Sequence, residues 1–245
     1  MSGKSVLIIG GRSDMGVAIA HRFAKAGYAV QLAARNAASL MEVKSDLEIR
    51  HQVPVSLHEL NILQSDRFES FIGSLPVLPD VAISVVGLMG DQTQSEQDAQ
   101  AATVVLRSNF EGPAILSGLL VNHFIARGHG TLVGVSSVAG DRGRASNYVY
   151  GSSKAGYTAF LSGLRNRVNG TGVNVLTVKP GFVATRMTEN MDLPAALTAS
   201  TEHVAESVFK AVGKGRRIIY TKWIWRYVML IIKHIPEFVF VRQKL

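Results

Sequence analysis

Short apolar runs alternate along this chain with longer stretches of helical periodicity. The runs Val6–Ile9, Ala29–Ala33, Val55–Leu60, Val81–Val86, Thr131–Ser136 and Val173–Lys179 are mostly continuous rather than alternating, which is the pattern of strands covered on both faces. Between them, apolar residues recur at helical spacing over about residues 15–26, 38–50, 65–73, 98–126, 149–168 and 202–212. This alternation of strand and helix predicts an α/β fold: a doubly wound parallel sheet of about seven strands, with right-handed crossovers and helices on both faces. No internal repeat, low-complexity tract or linker divides the pattern, and its character changes only after about residue 213. The expected organisation is one domain over residues 1–222 and an amphipathic C-terminal segment over residues 223–245.

Composition narrows the function classes. With 47% apolar and 18% charged residues in 245, a large core is available and a folded rather than disordered chain is expected. The absence of Cys rules out disulfides, thiolate metal sites and thiol nucleophiles, and no metal is expected. The net charge of +8 is unevenly spread. Residues 214–245 hold Lys214, Arg216, Arg217, Lys222, Arg226, Lys233, Arg242 and Lys244 against Glu237 alone, while the rest of the chain is nearly neutral. That argues against a nucleic-acid groove across the fold and for a local anionic contact. The apolar run Val6–Ile9 is too short for a signal-peptide core, so a cytoplasmic protein without a signal peptide is expected.

Candidate chemistry begins where the first strand meets Gly10-Gly11-Arg12-Ser13-Asp14-Met15-Gly16. Glycines at a strand-to-helix turn let the backbone approach a diphosphate, and the helix N-terminus favours its charge. By itself the loop also fits a tight turn with no ligand. After the second strand, Ala34 occupies the position where an acidic residue would bind a ribose 2′-hydroxyl, and Arg35 follows. An Arg there, with Arg12 in the loop, suits a 2′-phosphate and tilts the cofactor towards NADPH, with NADH left open.

Tyr150 and Lys154 are four residues apart, on one face of a predicted helix. A free phenol titrates near pH ~10, and a nearby ammonium lowers that value towards the working range. Tyr150 would donate a proton to the alkoxide formed when a ketone receives hydride. Ser137 follows the predicted strand Thr131–Ser136, at the end where open α/β sheets bind ligands, and would bond the same oxygen.

Taken together these motifs resemble the short-chain dehydrogenase/reductase family, over about residues 5–190. The set comprises the loop Gly10 to Gly16, Asn109 within Arg107-Ser108-Asn109-Phe110-Glu111-Gly112, Ser137, Tyr150 with Lys154, and Pro180-Gly181 leading to Thr185. The resemblance implies a Rossmann-type catalytic domain that uses NADPH or NADH. It implies that Asn109 holds a water linking Lys154 to bulk, that Lys154 bonds the nicotinamide ribose, and that Val183 and Thr185 hold the carboxamide. It carries further cofactor contacts onto Gly10, Arg12, Ser13, Asp14, Met15, Gly16, Arg35, Asn61, Gly87, Pro180 and Gly181. It also implies a homodimer or homotetramer formed through the helices near residues 98–126 and 149–168. Two positions depart from the family pattern. Asp14 stands where the family has the middle glycine of the loop, and Ser84-Val85-Val86-Gly87 replaces Asn-Asn-Ala-Gly after the fourth strand.

A narrower resemblance, to the reductases of decaprenylphosphoryl-2-keto-erythro-pentose, rests on four stretches: the loop Gly10–Gly16, Gly87-Leu88-Met89-Gly90-Asp91, Ala139-Gly140-Asp141-Arg142-Gly143-Arg144, and Arg226-Tyr227-Val228-Met229 with His234-Ile235-Pro236. It implies a polyprenyl-phosphate-linked keto-sugar as substrate and a role in cell-wall synthesis. Another apolar ketone, such as an acyl chain or sterol, is the alternative, and a non-catalytic dinucleotide-binding module is the alternative of another class. In the tail, Trp223, Trp225 and the apolar residues from Tyr227 to Ile232 accompany Lys222, Arg226 and Lys233, which fall within ~40° on a helical wheel. The segment is far shorter than the ~20 residues of a membrane span, and Pro236 is expected to interrupt its helix. It fits either peripheral contact with a membrane surface or packing on the domain or a second subunit.

Overall fold

The computed structural model describes residues 3–189 and 191–243; of the basic tail, Lys244 lies outside them. In chain order the elements are β1 (Ser5–Ile9), α1 (Asp14–Ala24), β2 (Ala29–Ala34), α2 (Met41–His51), β3 (Val55–Glu59), α3 (Phe68–Gly73), β4 (Val81–Ser84), α4 (Gln92–Gln97), α5 (Ala99–Leu106), α6 (Gly112–Arg127), β5 (Gly130–Val135), α7 (Tyr148–Arg167), β6 (Val173–Lys179), β7 (Phe182–Val183), β8 (Thr198–Ala199), α8 (Thr201–Gly213), β9 (Ile218–Tyr220), α9 (Ile224–His234) and α10 (Glu237–Phe240). Seven strands form one parallel sheet in the order β3-β2-β1-β4-β5-β6-β9. The order reverses between β1 and β4, which opens a crevice at the carboxyl ends of the strands.

The continuous apolar strands serve two layers. Val6 and Ile8 face a core shared with Ile19, Phe23, Leu47, Val204 and Val208 from α1, α2 and α8. Leu7 and Ile9 face the opposite core, with Phe68, Leu120, Phe124 and Leu161 from α3, α6 and α7. Neighbouring residues point to opposite sides, so both must be apolar when both sides are covered.

Three elements differ from expectation. The predicted helix over residues 98–126 is divided: α5 and α6 are joined by a π-helical turn, Arg107–Glu111. Its cause is legible in Pro113 near the start of α6, which has no N–H to give to the Asn109 carbonyl. The sheet gains its seventh strand from β9, a three-residue segment paired with β6, too short to show a period. A short helix, α4, precedes α5, and each is capped by an aspartate: Asp91 accepts from the Gln94 N–H and Asp98 from the Gln100 N–H.

The tail packs by one face only. Trp225 and Met229 are buried against Val138, Phe182 and Leu197. On the outer side Trp223, Tyr227, Leu230 and Ile231 are exposed, as are Phe238 and Val241 beyond Pro236. As expected, α9 stops before Pro236, with Ile235 extended. Among the described residues no helix is long and apolar enough to cross a membrane.

Candidate active site

The loop after β1 is shaped by two glycines. Gly10 has φ +98°, a conformation disfavoured with a Cβ. A Cβ on Gly16 would lie 2.6 Å from the Gly10 carbonyl oxygen and 2.9 Å from the Ser13 hydroxyl oxygen, so the chain can fold back on itself only without one. Ser13 caps α1, accepting from the Gly16 N–H at 2.9 Å. Arg12 and Met15 flank that cap in the same turn. The result is a helix N-terminus that opens on the crevice, a geometry that fits a diphosphate. Beyond β2, the Glu59 carboxylate accepts from the backbone N–H groups of Asn36 (2.9 Å) and Ala37 (2.8 Å), which hold it below the usual carboxylate range. The acid nearest this turn is thereby committed, and Arg35 stands exposed beside it. Asn61, just past β3, turns its side-chain oxygen to the Leu63 N–H at 3.1 Å.

The structure brings the four catalytic candidates to one end of the sheet. Ser137 lies two residues past the end of β5, and its hydroxyl accepts from the Ala139 N–H at 3.1 Å. Tyr150 and Lys154 lie on α7, with the Lys154 Nζ 5.7 Å from the Tyr150 ring centre. Burial raises the Tyr150 phenol above its usual value, and a hydrogen bond with Ser137 works against that rise. Lys154 is 3% exposed; its Nζ donates to the carbonyls of Val86 (3.2 Å) and Val135 (3.3 Å), and burial lowers it to about 8. Here the sequence reading is corrected in degree: desolvation outweighs any lowering of the phenol by the ammonium. Asn109 is fully buried. Its amide donates to Leu88 O (2.6 Å) and Val105 O (2.8 Å), and its oxygen accepts from Leu88 N (3.1 Å). The side chain thus fixes the loop after β4, while its own carbonyl is the one that Pro113 leaves without a helical donor. Gly87 lies in that loop, where an added Cβ would be 3.7 Å from Asn109 Oδ1, Lys154 Nζ and Met187 Cε alike.

Both departures from the family pattern find partners. Ser84 is buried on the side of the sheet where the Tyr157 phenol meets Ser117 at 3.0 Å, so hydroxyls take the place of the family's amides near this turn. Asp14, the first residue of α1, is held by Arg186, which sequence reasoning did not single out. The Arg186 backbone N–H donates to Asp14 Oδ2 and its Nε to Asp14 Oδ1, both at 2.8 Å, while Nη2 donates to the Arg12 carbonyl at 2.7 Å. An aspartate at an anion-binding turn is a signal that a cation must be near, but its place 172 residues away cannot be read from spacing.

The far rim is built from the Pro-Gly segment and the tail. The Pro180 carbonyl accepts from Val138 N at 2.9 Å, tying this segment to the Ser137 loop. Gly181 is occupied from behind: an added Cβ would sit 1.9 Å from Trp225 Nε1, and that indole N–H donates to Leu197 O at 3.0 Å. Val183 is buried in β7, and Thr185 caps the turn that follows through Thr188. Thr185, Thr188 and Met191 line an open cavity of about 630 Å³, a size common for small-molecule sites. Under this rim, Asp141 forms a buried ion pair with Lys179 and accepts from the Tyr220 phenol at 2.9 Å. Its neighbour Arg142 donates to the carbonyls of Ile232 (2.8 Å), Lys233 (3.2 Å) and Ile235 (2.6 Å) and pairs with Glu237 at 2.7 Å, capping α9 from the active-site loop.

Comparison with known proteins agrees with this architecture. An uncharacterized oxidoreductase of Mycobacterium tuberculosis is 37% identical over 243 residues, covering 97% of this chain and 96% of that protein. A short-chain dehydrogenase from Sphingobium yanoikuyae, solved in complex with NADPH, superposes with a TM-score of 0.82 at 19% identity, covering 96% of this chain and 97% of that one. A short-chain dehydrogenase from Burkholderia cenocepacia, solved in complex with NADP, gives a TM-score of 0.81 at 19% identity, covering 98% and 97%. The family model described as short chain dehydrogenase matches residues 4–195, and the chain belongs to that family of oxidoreductases.

Proposed function

We propose that this chain uses NADPH or NADH to reduce a keto group carried on an apolar or lipid-linked substrate, with the 2-keto group of a polyprenyl-phosphate-linked pentose as the first candidate. The observation that carries the reading is the convergence of Ser137, Tyr150 and Lys154 on the crevice at the carboxyl end of the sheet. The nicotinamide supplies hydride when it is bound. Tyr150, kept protonated by burial, gives its proton to the oxygen that becomes an alkoxide. Ser137 holds that oxygen beside the phenol. Lys154 presents its ammonium behind Tyr150 and restores the proton through the path that begins at the Asn109 carbonyl. Gly10, Ser13, Met15 and Gly16 receive the diphosphate. Arg12 and Arg35 favour a 2′-phosphate, since Glu59 is already committed to backbone N–H groups. Pro180, Gly181, Val183 and Thr185 frame the nicotinamide end, with Asn61 and Gly87 along the groove.

Support for an apolar substrate comes from Leu88, Met187 and Met191, all exposed at the crevice side, and from the outer face of the tail. That face sets Trp223, Tyr227, Leu230 and Ile231 beside Arg226 and Lys233, the arrangement of an interfacial helix on an anionic membrane surface; Lys222, which the helical wheel grouped with them, precedes α9 and donates to the Ala196 carbonyl at 2.8 Å. The keto-pentose itself is supported by the motif stretches; within one of them Arg142 joins the Ser137 loop to the tail, and Asp141 ties that loop to Lys179 and Tyr220. Leu106, Phe110 and Ile115 are exposed on α5, the π-helical turn and α6, an apolar face suited to a homodimer or homotetramer.

The test is oxidation of NADPH and NADH in the presence of a polyprenyl-linked keto-pentose, a 3-ketoacyl thioester, a ketosteroid and a small water-soluble ketone. The expected result is turnover on the first substrate and a loss of about 10²–10⁴-fold in Tyr150→Phe. Turnover confined to an acyl or steroid ketone would select the alternative substrate class. Cofactor binding without turnover on any of them would leave the non-catalytic module.

A further inference from the structure

The geometry points to Arg186 as a ligand for the dinucleotide's diphosphate, held on Asp14 until that anion takes the carboxylate's place. The inference deepens the proposed function, because it rests on the same groove being a dinucleotide site.

Three observations lead there. Asp14 stands at the first position of α1, where the helix dipole and free N–H groups attract an anion. Its carboxylate is therefore a resident competitor for the place a diphosphate would occupy. Arg186 reaches this carboxylate from the opposite wall of the crevice, straight after the Thr185 cap. It grips Asp14 with its backbone N–H and its Nε and reaches the Arg12 carbonyl with Nη2. The guanidinium consequently lies within the very turn that the glycines shape for phosphate oxygens.

The third observation is exposure. The side chains of Arg186 and Asp14 are 69% and 30% exposed, so the pair is screened by water and cheap to open. A diphosphate carries more charge and more acceptor oxygens than one carboxylate, and guanidinium binds phosphate oxygens in the same forked manner. Exchange of partner therefore needs a rotation of the Arg186 side chain and release of one backbone hydrogen bond, from the Arg186 N–H to Asp14 Oδ2. The same contact joins the phosphate turn to the rim that carries Val183 and Thr185. A residue that grips the diphosphate from that rim draws the two walls of the groove together. This gives Asp14 a purpose that a glycine lacks: it stores the arginine in place.

The experiment is equilibrium binding of ADP-ribose, measured by calorimetry on the full chain. ADP-ribose carries the diphosphate but no nicotinamide, so the result stands whether or not the chain reduces a ketone. Arg186→Ala is expected to weaken ADP-ribose about tenfold and to flatten the salt dependence of its Kd. Adenosine 2′-monophosphate, which has no diphosphate, is expected to bind the variant and the parent alike. Asp14→Ala is expected to tighten ADP-ribose by about threefold, because the competing carboxylate is gone. Unchanged ADP-ribose affinity in Arg186→Ala overturns the inference. So does an Asp14→Ala variant weakened as much as Arg186→Ala, since the pair would then serve only to brace the loop. If Arg186→Ala lowers the melting temperature, Arg186→Lys decides: retained affinity supports a charge that binds phosphate, and affinity equal to that of the alanine variant overturns it.

Discussion

Asp14 and Asp141 are each bound to a basic residue from another part of the chain, in opposite surroundings. Asp141 is 4% exposed and its partner Lys179 10% exposed, with the Tyr220 phenol closing the third side. The Arg186 side chain stands largely in water, and that of Asp14 is 30% exposed. A buried pair is held by the cost of leaving either charge alone, whereas an exposed pair is held by very little. The difference matches what each rim has to do. Beneath Ser137 and the Pro-Gly segment the reacting atoms must be placed within fractions of an ångström, and the charges there are locked. At the phosphate turn a mobile anion must arrive and leave, and the charges there are free to change partners.

The contrast is broken most severely at its buried side. Asp141→Ala strands the Lys179 ammonium and is expected to cost about 3–5 kcal/mol in urea unfolding; a loss below about 1 kcal/mol would mean that the pair is no anchor. Gly181→Ala forces a methyl into the Trp225 indole. It should lower stability by about 1–3 kcal/mol and shift Trp fluorescence as the indole is displaced. Lys154 sharpens the comparison by pH. Burial sets it at about 8, so its ammonium is present below that pH and lost above it. Reductase turnover should fall about tenfold per pH unit beyond 8. Its contribution to folding has the opposite sign. The unfolded chain holds the Lys154 proton up to pH ~10.4, so this term raises stability as pH climbs from 8 to that value. The smallest effect belongs to the exposed side: Arg186→Ala should change unfolding stability by about 1 kcal/mol or less. A larger loss would show that this rim is locked too.

Much of this arrangement can be read from the chain before any coordinates. Buried parallel strands announce themselves as unbroken apolar runs, so six of the seven strands in the main sheet were legible. The spacing of Ser137, Tyr150 and Lys154 places them together because a strand end and one helical turn are local geometry. What could not be read depends on residues distant in sequence. β9 has three residues, too few for a period, and joins the sheet only because β6 offers an edge. The π-helical turn was visible only as Pro113, whose effect depends on what the Asn109 carbonyl would otherwise bond. Arg186 meets Asp14, and Trp225 meets Gly181, through tertiary packing that spacing does not encode. The sequence of the tail fits two readings, and the fold gives its two faces different surroundings: Trp225 and Met229 are packed on the domain, and Trp223 and Tyr227 are exposed.

The indole of Trp225 against the bare Cα of Gly181 has a practical consequence for protein engineering. A chimera that keeps this catalytic body but takes its last twenty or so residues from a relative would inherit a hollow where the ring had been. A graft in the other direction would meet a methyl or larger group wherever the host lacks glycine at that site. The C-terminal helix and the Pro-Gly turn therefore form one exchangeable cassette, and neither half should be transplanted without the other.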